Sequence, residues 1–65
     1  MAHEYTLEEI EKKACQAEVI LFLAKASNDP YRIEIATELA ADLIGSVVCW
    51  LLEESAQRKA AQTGN

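Results

Sequence analysis

The chain has 65 residues, a net charge of −5 and 51% apolar residues, with one proline and two glycines. This composition excludes a disordered or fibrous chain, and the acidic balance disfavours phosphate-backbone binding, which needs clustered lysine and arginine. A chain this short buries only roughly 60% of the surface its unfolded form exposes, so a disulfide, a metal or association is needed for firm stability.

The N-terminal stretch MAHEYTLEEIEKK has no basic flank ahead of an apolar core, which predicts the absence of a secretory signal. Thr6 followed three residues later by Glu9 is a capping-box pattern, and Glu8, Glu9 and Glu11 suit the positive end of a helix dipole. Small or apolar residues then recur at Leu7, Ile10, Ala14, Ala17, Leu21 and Ala24 in alternating steps of three and four. That spacing predicts a first helix over about 7–27 with one packing seam.

In the segment SNDPYR, Asn28 suits the left-handed conformation that closes a helix, Asp29 an N-cap and Pro30 a first helical turn. A turn at 28–29 makes the next helix an antiparallel neighbour. The second helix is expected over about 30–60, with a frayed tail at 61–65 and its seam at Ile33, Ala36, Ala40, Leu43, Val47 and Trp50. Gly45 stands mid-helix between Ala41 and Cys49, a costly placement that predicts close approach of another backbone. The fold class is therefore all-α, a single antiparallel helical hairpin over 1–65.

The run EVILFLAK raises a surplus. Its seam uses Leu21 and Ala24, with Ile20 at the border, and leaves Val19, Phe22 and Leu23 facing away; Val48, Leu51 and Leu52 add apolar surface at the other end of the second helix. Leaving half a dozen such side chains in water would forfeit roughly 10 kcal/mol. Homodimerisation into a four-helix bundle is expected to cover them. The expected dimer interface is Val19, Phe22, Leu23, Val47, Val48, Trp50 and Leu51. The longest uninterrupted apolar run, Val19 to Ala24, falls far short of the ~20 residues of a membrane span, and the richer stretch from Ile33 to Leu52 carries Glu34, Glu38 and Asp42, which argues for a solvated face, so a cytoplasmic, membrane-free protein is expected.

Catalytic and metal signals are weak. Cys15 and Cys49 lack a CxxC or a Cys/His spacing, and the single histidine, His3, lies near the N-terminus. The two thiols are expected to be small, partly buried side chains. In an antiparallel hairpin they lie about 10 Å apart along the axis, beyond the about 7 Å that a disulfide tolerates. Glu34, Glu38 and Asp42 share a face, but no Glu-x-x-His element accompanies them, and they are read as a solvated stripe. No enzyme activity, metal or cofactor is expected.

Tyr31 and Arg32 stand at the start of the second helix, and both residue types are frequent binding hot spots. With Glu34, Ile35, Glu38 and Leu39 they form the expected partner-binding set, whose acidic members favour a basic partner surface. In size and two-helix outline alone, the chain resembles plasmid-borne RNA-binding hairpin dimers that regulate replication primers, and small phage proteins that bind host regulators. The expected function is a small, acidic, dimeric interaction module that modulates or inhibits a larger protein. A phage- or mobile-element-encoded inhibitor and an antitoxin-like adaptor are two forms of it. The alternative is an RNA- or DNA-binding hairpin dimer that uses Lys12, Lys13 and Lys25, or Arg58 and Lys59.

Overall fold

The computed structural model describes residues 5–63. Two helices, α1 (Leu7–Lys25) and α2 (Pro30–Thr63), form an antiparallel hairpin. The start of α1 is set locally. Thr6, in extended conformation, accepts a hydrogen bond on its hydroxyl from the Glu9 backbone N–H, at 3.2 Å. Glu9 Oε1 reciprocally accepts the Thr6 backbone N–H at 2.8 Å, so two otherwise orphaned donors are satisfied.

Helix α1 ends at Lys25, two residues earlier than its spacing predicts. The Ala26 N–H donates to the Leu23 carbonyl and the Ser27 N–H to the Ala24 carbonyl, tightening the last turn. Ser27 Oγ then accepts the Asp29 N–H at 3.1 Å. These bonds close the helix without a left-handed residue: none of the described residues has a positive φ, so Asn28 does not play that expected part. Asp29 caps α2, its Oδ1 accepting the Tyr31 N–H at 3.0 Å and its carbonyl accepting the Ile33 N–H at 3.0 Å. Pro30 loses nothing as the first helical residue, because its missing N–H would have had no partner there. Helix α2 continues to Thr63, past the expected end near Ala60 and through part of the expected tail; 64 and 65 lie outside the described residues.

The seam of α2 follows its spacing. Ala40 is buried, and Ile33, Ala36, Leu43, Val47 and Trp50 are half-buried. In α1 the seam is only half as expected. Ile10, Ala17 and Ala24 are buried, but Leu7, Ala14 and Leu21 are exposed, and Lys13, Ile20 and Ser27 take the flanking places instead. The seven-residue spacing of Ile10, Ala17 and Ala24 permits either flank. Contacts at both ends accompany the choice made: Ser27 is held into the turn, and Lys13 lays its ammonium over the Tyr5 ring, 4.6 Å from the centroid.

Among the described residues, Ile10 is the only buried one with a large side chain; the other buried residues are alanines. The helices thus meet most closely along small residues, with Ile20, Ile33, Leu43, Val47 and Trp50 half-buried at the edges of that contact. The body measures 55 × 17 × 15 Å, with a radius of gyration of 15.5 Å. A compact chain of this length would have about 11 Å.

Candidate functional site: an apolar groove along the hairpin

Because α1 turns Ile20 toward the seam, its neighbours Val19 and Leu23 come round beside α2. They form a groove with Ile35, Leu39 and Leu43. The groove consists of two hollows of about 500 and 450 Å³, which share Ile20 and Leu39 as a central ridge. Lys12, Cys15 and Gln16 border the first hollow, and Ser27 and Arg32 the second. The walls are almost wholly aliphatic, and the groove is open along its length. Such a surface suits a packed helix face better than a small polar ligand.

The opposite flank of the seam is also apolar. Leu7, Ala14 and Leu21 lie there on α1, and Ile44, Val48 and Leu51 form an exposed stripe at helical spacing on α2. The two flanks divide the residues singled out from the sequence. Val19 and Leu23, expected in the dimer interface, share the groove with Ile35 and Leu39, expected to bind a partner. Val48 and Leu51 lie across the molecule from them. Phe22 projects from the outer side of α1, 71% exposed. Val47 and Trp50 are half-buried in the intrachain seam.

Tyr31 is 70% exposed at the start of α2. Arg32 pairs with Asp29 at 3.4 Å, an exposed contact of little energetic weight that nevertheless orients the guanidinium beside the helix cap. Glu34 and Glu38 are exposed on the outer face of α2. Among the cationic residues, Lys13 lies over Tyr5, and Arg58 pairs with Glu54 at 3.4 Å.

Sequence reasoning missed Tyr5. Its carbonyl accepts the Trp50 indole N–H at 2.9 Å, tying the start of the chain to the middle of α2. A signal was present: Tyr5 precedes the N-cap and Ile10 follows four positions into the helix, the spacing of a hydrophobic staple. Gly45 also departs from expectation. A methyl group built there would meet nothing within 4 Å, so no backbone of this chain approaches it closely. Cys15 and Cys49 are free and exposed rather than partly buried; Cys15 borders the groove and Cys49 lies outside it. Among the described residues no group of three or more His, Cys, Asp or Glu is placed to hold a metal ion; His3 lies outside them.

By length and composition α2 is able to cross a membrane. Its most apolar eighteen-residue window has a mean hydropathy of 1.7 and is only 6% buried. In the sequence, Glu34, Glu38 and Asp42 suggest a solvated face on this stretch, yet from Ile35 to Leu52 only Glu38 and Asp42 are charged. No protein-family model matches the chain, and no similar curated protein or solved structure is found.

Proposed function

We propose that this chain is a non-enzymatic interaction module that works as a homodimer, in an aqueous compartment such as the cytoplasm, and modulates or inhibits a larger protein. The observation that carries the reading is the groove of Val19, Ile20, Leu23, Ile35, Leu39 and Leu43 on a hairpin whose own core is mostly alanine. Apolar surface of this extent marks interaction sites. Tyr31 and Arg32 stand on a rigid helix start beside the groove and serve as the contact for the larger protein, with Glu34 and Glu38 favouring a basic surface on it.

The test is affinity capture with the wild type and with a Tyr31→Ala/Arg32→Ala variant, followed by titration of the purified captured protein. A protein bound by the wild type about thirtyfold more tightly than by the variant, a loss of about 2 kcal/mol, supports the reading. Capture of no specific protein overturns it. Salt-sensitive retention of RNA or DNA instead would move the function to nucleic-acid regulation.

The hydropathy of α2 favours a second reading, a membrane-inserted helix. Glu38 and Asp42 weigh against it, since a carboxylate near the bilayer centre costs about 2.5–3.5 kcal/mol on insertion scales. Recovery of the chain with lipid vesicles after alkaline extraction would establish it; recovery in the aqueous fraction would dismiss it.

A further inference from the structure

We infer that the groove is covered by the same groove of a second copy, the two hairpins stacking antiparallel with a two-fold axis through Ile20 and Leu39. This rests on the homodimer proposed above and assigns its face. The first support is surface area. A compact monomer of this mass exposes about 4,100 Å²; this chain of 7.2 kDa exposes 5345 Å². A compact body of twice the mass exposes about 6,800 Å², so two chains reach it by burying roughly 3,800 Å² together, within the range of obligate homodimers.

The second support is the shape of the groove. Its two hollows are nearly equal, about 500 and 450 Å³, and flank one ridge. A two-fold axis through that ridge sets the first hollow of each copy opposite the second hollow of the other, so that one patch serves both copies, as an isologous interface requires. Stacking the groove on the opposite Ile44–Val48–Leu51 flank instead would be head-to-tail and would continue into an open filament.

Charge does not oppose this arrangement. Lys12 ends the first hollow, and the second ends at Arg32, which Asp29 neutralises. The two-fold brings Lys12 of each copy to the turn of the other, where the Asp29–Arg32 pair carries no net charge. Ile35 and Leu39 then belong to the dimer, whereas Tyr31, Glu34 and Glu38 remain open for the larger protein.

Sedimentation equilibrium tests this on the wild type, Leu39→Glu and Val48→Glu, with helicity followed by circular dichroism. The wild type is expected to be dimeric at micromolar concentration. Leu39→Glu should raise the dimer dissociation constant at least about a hundredfold, because an unpaired charge would enter the interface. Val48→Glu should leave it nearly unchanged. In a Cys15→Ser/Cys49→Ser background, Leu39→Cys should form an interchain disulfide on mild oxidation and Val48→Cys should not. A monomeric wild type would overturn both the homodimer and this face. Dissociation by Val48→Glu but not Leu39→Glu, or crosslinking through Val48→Cys alone, would keep the homodimer and overturn this face.

Discussion

The indole N–H of Trp50 donates to the carbonyl of Tyr5 at 2.9 Å, a bond that spans 45 positions and closes the open end of the hairpin. Trp50→Phe removes the donor and keeps an aromatic ring in the seam. The expected cost is about 1 kcal/mol, seen as a fall in melting temperature of roughly 4–8 °C for a domain of this size. An unchanged melt would mean that the bond contributes nothing to the hairpin.

The capping box makes α1 sensitive to acid. Glu9 is held below its ordinary pKa of 4.5, first by the backbone N–H of Thr6, then by the Thr6 hydroxyl, with Lys13 adding to the effect. Its folded-state pKa is thus lower than its unfolded one. The stabilisation is complete above the unfolded value and is lost as the pH falls through the folded value. Glu9→Gln should flatten the acid limb of the stability curve, as read by urea melts between neutral pH and pH values below 4.5. An identical acid limb in the variant would remove Glu9 as the cause.

Thr6→Ala tests the other half of the box. It should cost about 1 kcal/mol and reduce the helicity of the N-terminal turn. Amide exchange at Glu9, whose N–H the Thr6 hydroxyl accepts, should accelerate first. Protection at Glu9 equal to that of the wild type would show the cap to be dispensable.

Gly45→Ala should stabilise the chain by about 1 kcal/mol, since alanine is the better helix former and its methyl group meets nothing within 4 Å. The melt should be repeated at several protein concentrations. Destabilisation that grows with concentration would show that another chain packs against Gly45.

The exposed thiols offer a probe of the groove. Cys15 lines its first hollow, whereas Cys49 lies beside Gly45, Ser46 and Trp50, outside it. Both should react with a thiol reagent without denaturant in dilute protein. As concentration rises, Cys15 should become the slower of the two. Equal rates at all concentrations would contradict stacking on the groove.

What could be read from the chain was whatever its near neighbours decide. The Thr6–Glu9 box and the Asp29–Pro30 start each lie within one helical turn, and both are found where the spacing puts them. The seam of α2 follows equally: Ala40 is buried and Ile33, Ala36, Leu43, Val47 and Trp50 are half-buried where the spacing puts them. The flank of α1 was beyond reach. Leu7, Ala14 and Leu21 are as apolar as Ile20, and the alternative flank is accompanied by contacts between Lys13, Tyr5 and Trp50 that sequence spacing does not encode. The same limit kept Leu23 and Leu39 in separate sets: until the flank of α1 is known, they cannot be placed on one face. Gly45 followed a sound statistical habit that this hairpin does not obey within one chain.

The line of alanines between the helices has a consequence for how this molecule can change. Ala17, Ala24 and Ala40 are buried, and a bulkier residue at any of them would wedge the helices apart. Phe22, Leu23, Leu39 and Leu52 stand outside and can be exchanged without disturbing that contact. The usual map of mutational tolerance is thereby inverted, with the smallest side chains the least replaceable. Foldability and choice of associate are written in separate sets of positions, so a lineage could acquire new associates by altering its leucines while its alanines keep the same hairpin.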